Sequence, residues 1–212
     1  MKQLALLMAV VAAPVAAQAP AGWTYRLDGA PTPPKSGAVV AGEWAYQRMP
    51  PGWHLTTTDQ GVTVYPEVPR PMSGEWGVET EFFLFPDPSE SGVGVALMAT
   101  TSEEHQGELR LLLRRDGQVS VEVRGSDGVE TLMPWTADTA AAAHNGSETK
   151  RYVLRVMHQG EKMTVAVNGR EMLAIPIGPN VQTPYAGFRA GPGLNLHISR
   201  FDLITPLAPP RP

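Results

Sequence analysis

Residues 151–177, RYVLRVMHQGEKMTVAVNGREMLAIPI, contain three apolar segments separated by two turn signals. Apolar residues occupy alternate positions of the first two segments, namely Tyr152, Leu154 and Val156, then Met163, Val165 and Val167. Alternation with a period of two is typical of half-buried β-strands. The stretch therefore predicts three consecutive antiparallel strands, and the rest of the chain repeats this pattern.

The first turn signal is Gln159-Gly160. As a two-residue loop it predicts the opposed pairs Val156 with Met163, Leu154 with Val165, and Tyr152 with Val167. This register places every apolar side chain on one face of the hairpin.

The second turn signal, Asn168-Gly169, is the strongest, because both central residues of a type I′ turn need positive φ. A two-residue loop sets Met172 and Ala174 against the preceding strand, whereas a three-residue loop sets Leu173 and Ile175 there. The sequence leaves both registers open.

A third hairpin is centred on Arg115-Asp116-Gly117. A two-residue Asp-Gly loop would mix apolar and charged side chains on one face. A three-residue loop with Gly117 in the left-handed conformation instead predicts these pairs: Leu113 with Val119, Leu111 with Val121, Leu109 with Val123, Arg110 with Glu122, and Glu108 with Arg124. The opposite charges on the outward face favour this second register.

The remaining segments add further strands. We expect a long strand within residues 75–85, a hairpin joining 53–57 to 62–65, a loop over 42–52, one short helix over 137–144, and a bulge near Ser199-Arg200. About a dozen short strands with almost no helix predict an all-β fold, an antiparallel jelly-roll β-sandwich of two curved sheets.

Composition excludes several classes of partner. The chain has 212 residues, 17 Lys and Arg against 21 Asp and Glu, and a net charge of −4. Nucleic acid and anionic membranes need a basic patch, so neither is expected as a partner. Cysteine is absent, which rules out disulfides and thiolate chemistry.

The N-terminal segment predicts export. Lys2 precedes an apolar run, and Ala17-Gln18-Ala19 satisfies the small-residue cleavage rule, with cleavage after Ala17 as the alternative because Pro20 would follow Ala19. We expect a signal peptide over 1–19 and a periplasmic or extracellular protein. Residues 20–52 would form an N-terminal strand and a Pro-rich connector packing on a sandwich domain over 53–205, with a disordered tail over 206–212.

Three sequence features resemble the C-terminal half of concanavalin-A-like lectin/glucanase domains, a superfamily that includes laminin-G-like modules. They are the VAVNGRE hairpin, Gly187-Phe188, and the closing strand LHISRFDL with its change of phase. The resemblance extends over roughly residues 53–203 and is shared with exported bacterial proteins of this type. It implies two packed, curved sheets whose concave face holds glycans in lectins and glucanases.

The chain departs from the catalytic patterns of such domains. The E-x-D-x-x-E signature of family-16-like glucanases is missing, and Glu79 and Glu81 form only an E-x-E. The two carboxylates are the candidate catalytic pair, since paired carboxylates cleave glycosidic bonds. Solvated charge pairs with outward arginines are the alternative interpretation.

Candidate ligand-binding residues follow from chemistry that suits sugars. Aromatic rings stack on pyranose rings, and planar polar groups bind hydroxyls and carboxylates. The candidates are Trp53, Trp135, Arg110, Arg114 and His197, with Trp76 assigned to the core and a shared outward face predicted for Arg110, Arg114, Glu122, Arg124, Arg155, Asn195 and His197.

No metal site or cofactor is expected. The five histidines are scattered without H-x-H or H-E-x-x-H spacing, which gives no zinc motif. Structural calcium stays an option through loop residues such as Asp59 and Asp87, although no ligand string supports it.

Three functions are compatible with these features. The first is an exported, non-catalytic carbohydrate-binding or accessory module with a polysaccharide or oligosaccharide partner. The second is a glycoside hydrolase that uses Glu79 and Glu81, with Arg110 and His197 contacting the substrate. The third is a structural or protein-interaction domain. The missing catalytic signatures favour the first.

Overall fold

The structure is a computed structural model that describes residues 22–28, 44–66, 68, 72, 74–87, 89–100, 106–125, 127–137, 147–177 and 185–204. The expected signal peptide, the tail and most of the expected helix at 137–144 lie outside the described residues. Only Ala137 of that helix is described, and it ends a strand.

Fourteen β-strands make up the described chain. In chain order they are β1 (Trp23–Leu27), β2 (Trp44–Arg48), β3 (Trp53–Thr57), β4 (Val62–Pro66), β5 (Trp76–Leu84), β6 (Val93–Thr100), β7 (Gln106–Leu113), β8 (Gln118–Gly125), β9 (Gly128–Ala137), β10 (Lys150–Gln159), β11 (Lys162–Val167), β12 (Arg170–Pro176), β13 (Tyr185–Ala190) and β14 (Asn195–Ile204). Among these residues no helix is long and apolar enough to cross a membrane.

The strands form two seven-stranded antiparallel sheets. Sheet A has the order β1-β4-β13-β6-β7-β8-β9, and sheet B has the order β12-β11-β10-β5-β14-β3-β2. Consecutive strands β6 to β9 form one meander and β10 to β12 form another. The predicted all-β antiparallel sandwich is confirmed.

The core lies between the sheets and is built from alternate positions of the strands. Trp76, Phe82 and Leu154 of sheet B and Leu111 and Phe188 of sheet A are at most 2% exposed. The assignment of Trp76 to the core is confirmed, since it is fully buried. The opposite face of each strand points away from this core.

The hairpin between β7 and β8 has the predicted register. All five predicted pairs are present, including Arg110 with Glu122 and Glu108 with Arg124. Gly117 has a φ of 80° and its N–H donates to the Arg114 carbonyl. The predicted irregularity in β14 is also present, between Ile198 and Arg200.

The predicted register between β10 and β11 is wrong, because the observed pairing is shifted by two residues. Val156 lies opposite Val165 rather than Met163, and the loop is Gly160-Glu161. Gly160 takes the first loop position with a φ of 60°, which a glutamine at that position would adopt at a cost. Because the shift is two residues, the apolar face is preserved, and His158 joins it at 3% exposure.

The sequence left the register after Asn168-Gly169 open. The structure has the loop length of one alternative and the strand pairing of the other. The loop has two residues, with φ of 51° at Asn168 and 82° at Gly169. A bulge after Val165 then moves Leu173 opposite Val165, the pairing expected for a three-residue loop. An extra residue in β12 therefore restores the apolar face after the shorter turn.

Two further expectations are wrong. Strands β3 and β4 do not form a hairpin, because β3 lies in sheet B and β4 in sheet A, and the chain crosses between the sheets at 58–61. The expected loop at 42–52 contains β2, which pairs with β3 at the edge of sheet B. Pairing between strands that are distant in the chain determines both the sheets of β3 and β4 and the presence of β2.

Candidate functional site

The outward face of sheet A carries charged side chains that are withdrawn from solvent. Glu108 is 1% exposed, Arg110 is 4% exposed and Arg189 is 3% exposed. Strand register places Arg110 beside Glu122 on β8 and beside Ala96 on β6. Charged residues are almost never fully buried unless they are paired, so this face is distinct from an ordinary wet surface.

Five residues form an ion-paired network on this face, which we call the sheet A charge cluster: Asp28, Glu108, Arg110, Glu122 and Arg189. Arg110 Nε donates to Glu108 Oε1 at 2.6 Å, and Arg110 Nη2 donates to Asp28 Oδ1 at 3.1 Å. Arg110 Nη1 lies 3.8 Å from Glu122 Oε2. Arg189 Nη2 donates to the second Asp28 oxygen. The carboxylate of Asp28 therefore joins both arginines.

The pKa values reflect this pairing. Burial is the largest influence on Asp28 and raises its pKa, but Arg189 and Arg110 together outweigh burial, and the pKa is lowered. Burial and the charge of Arg110 lower the pKa of Arg189 to about 10, with Asp28 acting in the opposite direction. Both groups are charged at neutral pH, so the cluster presents fixed ionic groups.

Arg189 has one donor that is not satisfied. Its Nη1 is buried and has no hydrogen-bond partner among the residues that the structure describes. The guanidinium packs over Gly61, where a Cβ would lie 2.2 Å from Nη2. Glycine at position 61 is thus required for the position of Arg189. A buried donor without a partner is costly, and such groups mark places where a further acceptor is expected.

Trp135 and Arg114 lie on the same face, toward the end of β7. The Arg114 Cζ is 5.0 Å from the centroid of the Trp135 ring. The ring also covers Gly92, where a Cβ would come within 2.8 Å of its Cη2 atom. Arg114 is held by Asp116, with its Nε 2.9 Å from both carboxylate oxygens. Three of the five predicted ligand-binding residues, Arg110, Arg114 and Trp135, therefore share the outward face of sheet A.

The other two candidates lie elsewhere. Trp53 faces the interior, where it is partly buried and lines a narrow apolar crevice with Trp23 and Phe201. His197 lies on the outward face of sheet B, opposite His54 on β3. The predicted shared outward face is therefore wrong, because Arg155, Asn195 and His197 belong to sheet B and the others to sheet A or its turns.

The candidate catalytic pair also lies on sheet B. Glu79 forms ion pairs with Arg155 and Arg200, and Glu81 forms one with Arg151 at 2.5 Å. Arg110, the predicted substrate contact, is on the opposite surface of the sandwich. The structure does not bring Glu79 and Glu81 together with it, although His197 shares their face. Catalysis by either carboxylate stays a prediction.

Sequence reasoning missed Asp28 and Arg189 as site residues. Asp28 follows β1, and Arg189 lies in the otherwise apolar strand YAGFRA. An arginine at an alternate position of a strand with buried neighbours was the available signal. Asp28 gave no local signal, because its contact with Arg110 depends on the order of sheet A, in which β4, β13 and β6 lie between β1 and β7.

Asp87, one of the two residues proposed for calcium, already has other partners. The Asp87 carboxylate is bound to Arg115 at 2.9 Å and accepts the N–H groups of Ser89 and Asn195. Within the described ranges no group of three or more His, Cys, Asp or Glu side chains could hold a metal ion. The calcium option stays a prediction.

Comparison with known proteins gave no match to a family model, and no curated protein sequence matched. Solved structures do match. The carbohydrate binding module CBM66 from Bacillus subtilis has 10% identity and a TM-score of 0.58, covering 87% of this chain and 96% of that one. A glycoside hydrolase family 16 endo-glucanase from Bacteroides ovatus, in complex with G4G3G-2F-DNP, has 10% identity and a TM-score of 0.58, covering 86% and 94%.

A third match is the carbohydrate recognition domain of Emp46p in its potassium-bound form. It has 12% identity and a TM-score of 0.55, covering 89% of this chain and 90% of that one. At these identities the likeness concerns the fold. The predicted resemblance is confirmed at that level, and the chain has the concanavalin-A-like jelly-roll fold.

Proposed function

We propose that this chain is an exported, non-catalytic carbohydrate-binding module, and that the outward face of sheet A is its binding surface. The observation that carries this proposal is the partly exposed Trp135 ring packed with Arg114 on the same face as the sheet A charge cluster. Guanidinium and carboxylate groups held in fixed orientation suit the paired donors and acceptors of sugar hydroxyls. A periplasmic or extracellular location follows from the expected signal peptide and is part of the proposal.

The fold supports a sugar partner in general terms. The similar structures include a carbohydrate binding module and a carbohydrate recognition domain, as well as a glycoside hydrolase. The ligands of those proteins are not assigned to this chain, because its specificity depends on its own side chains.

The accessible part of the proposed surface is the Trp135 end. The Trp135 ring is only partly buried, and the Arg114 side chain is 21% exposed. Arg110 lies on β7 and Arg114 directly follows the end of that strand, so the two are four residues apart, which corresponds to roughly 13 Å of extended chain. That distance accommodates more than one sugar ring, so we expect an oligosaccharide to lie along β7 with one ring against Trp135.

Ion pairing favours binding over cleavage. Hydrolysis needs one carboxylic acid that is protonated at working pH, which in turn needs a raised pKa. On this face the Asp28 pKa is lowered, and Glu108 and Glu122 are both ion-paired with Arg110. The glycoside hydrolase alternative would therefore need carboxylates from elsewhere, such as Glu79 and Glu81.

The test is a binding screen of the purified protein against a panel of bacterial and plant polysaccharides, with reducing-sugar release followed in the same wells. We expect binding without release. Trp135→Ala and Arg114→Ala should each weaken binding at least about tenfold, because stacked aromatic and arginine side chains dominate such contacts.

Matched controls lie on the other sheet. Phe83→Ala and Arg155→Ala remove an aromatic ring and a cation from the outward face of sheet B, and binding should not change. Release of reducing sugar would contradict the non-catalytic assignment. Equal loss of binding in the sheet A and sheet B variants would contradict the choice of surface, and no binding to any polysaccharide would favour the protein-interaction alternative.

A further inference from the structure

A separate polar cluster lies on the outward face of sheet B, where β14 pairs with β3. His197 is directly opposite His54 in the strand register, and Asn195 precedes His197 by two residues on the same face. Side chains directly opposite in an antiparallel pair have Cβ atoms about 4.5–5.5 Å apart. The two imidazoles and the amide therefore occupy one small patch of the sheet.

The tautomer of His197 is set by its surroundings. Its Nε2 lies 2.8 Å from the carbonyl oxygen of Pro51. A carbonyl can only accept a hydrogen bond, so Nε2 carries the proton. In the neutral imidazole this leaves the Nδ1 lone pair without a proton. Metal-binding histidines typically donate their other ring N–H to a carbonyl or carboxylate in this way.

Three buried atoms in this patch lack a hydrogen-bond partner within the described part of the chain. They are His197 Nδ1, His54 Nδ1 and Asn195 Oδ1. His197 Nδ1 and Asn195 Oδ1 can each offer a lone pair, and His54 Nδ1 can do so in the tautomer that carries its proton on Nε2. Lone pairs gathered in one patch can be satisfied by a bound electron-pair acceptor such as a metal ion.

We propose that His54, His197 and Asn195 bind a divalent transition-metal ion. Two imidazole nitrogens suit copper, zinc and nickel, whereas magnesium and calcium prefer oxygen ligands. Metal–nitrogen distances of about 2.0–2.1 Å are within reach of two opposed histidines. Solvent molecules would complete the coordination. Phe83 and Phe85 pack beside the two rings, at centroid distances of 6.2 Å from His197 and 5.4 Å from His54, and restrict their orientation.

The charged groups near the patch already have partners. Asp87 accepts the Asn195 N–H and is bound to Arg115, and Glu81 is bound to Arg151 and Ser199. The site is on the opposite surface from the sheet A charge cluster. It is thus independent of the proposed sugar-binding surface, and either proposal can fail without the other.

The test uses the full chain purified with an affinity tag that contains no histidine. After treatment with EDTA and dialysis, the protein is titrated with Cu²⁺ and with Zn²⁺ by calorimetry at pH 7.5. We expect one ion per chain. His54→Gln and His197→Gln should each weaken binding at least about tenfold, since each removes one of two imidazole ligands.

Control variants use two of the three remaining histidines. His105→Gln and His144→Gln should leave the affinity unchanged. Electron paramagnetic resonance of the Cu²⁺ complex should show coupling to two imidazole nitrogens in the original chain and to one in either ligand variant. The ion should also raise the melting temperature of the original chain more than that of a ligand variant. Absence of stoichiometric binding, or the same affinity in His54→Gln and His197→Gln, would overturn the proposal.

Discussion

The outward faces of the two sheets carry the same kinds of residue in opposite environments. On sheet A, Arg110 is 4% exposed and Glu108 is 1% exposed. On sheet B, the side chains of Arg155 and Arg200 are 49% and 48% exposed, although both form ion pairs with Glu79. Both faces thus have cross-strand arginine–carboxylate pairs, but only sheet A removes the arginines from water, whereas on sheet B the Glu79 carboxylate is buried and its two arginines are exposed.

This difference separates a solvated surface from a candidate site. Exposed ion pairs contribute about 0–1 kcal/mol, because water screens them and the side chains lose entropy on pairing. Buried pairs carry a desolvation cost of several kcal/mol per ion, which only close mutual pairing offsets. A protein keeps such groups where their positions serve a purpose, and perturbed ionisable groups cluster at functional sites.

The largest expected effect is on stability. Arg110→Ala should lower the free energy of unfolding by about 3–5 kcal/mol, because it leaves Glu108 as a buried charge that has lost its arginine. Arg155→Ala should cost at most about 1 kcal/mol, since Glu79 keeps its pair with Arg200. Urea denaturation of the two variants measures both values. Losses of similar size would show that the two faces do not differ energetically.

The second effect is on acid stability. The folded pKa of Asp28 lies below its ordinary value of 3.8. A carboxylate with a lowered folded pKa contributes stability that is fully present above the unfolded pKa and is lost as the pH falls through the folded pKa. Asp28→Asn should therefore lower the free energy of unfolding by about 1–2 kcal/mol at pH 7. It should also flatten the decline in stability as the pH falls below the ordinary aspartate pKa of 3.8.

The control for the acid experiment is Asp202→Asn on sheet B. The Asp202 side chain is 50% exposed and lies 3.3 Å from Arg200. Its replacement should change the free energy of unfolding at pH 7 by no more than about 0.5 kcal/mol. Denaturation at a series of pH values compares the variants. If the free energy of unfolding falls as steeply with decreasing pH in Asp28→Asn as in the original chain, the Asp28 carboxylate is not held by the two arginines.

The smallest expected effect concerns Glu81. Glu81→Gln should shift the melting temperature by less than about 2 °C, because the partner Arg151 is exposed. Binding of any polysaccharide found in the screen should stay the same. Differential scanning calorimetry and the binding assay measure the two quantities. If reducing-sugar release is found and is lost in Glu81→Gln, catalysis at sheet B would replace the proposed function.

The sequence predicted most of the local structure. Asp116-Gly117 and Asn168-Gly169 mark turns whose positive φ values are observed, because few other residues adopt this conformation cheaply. Alternation identified the inward side chains of β5, β7, β8 and β10. The errors at β10 and β11 changed the pairs but preserved the face, since a shift of two residues keeps the side-chain period.

The candidate site was predicted only in part. Arg110, Arg114 and Trp135 were selected for their chemistry, and they share one face. Asp28 and Arg189 were not selected, since their contacts link residues 161 positions apart. The histidines looked scattered, yet 143 positions in the chain separate two residues, His54 and His197, that lie directly opposite each other.

The sequence by itself determined most of the positions where strands begin, turn and face inward, because backbone conformation and side-chain alternation act over a few residues. Only the tertiary structure decided which sheet each strand joins. That decision placed β3 and β4 in different sheets and put Arg110 and Arg155 on opposite surfaces. It also decided which charges lose water, since burial depends on contacts between strands that are distant in the chain.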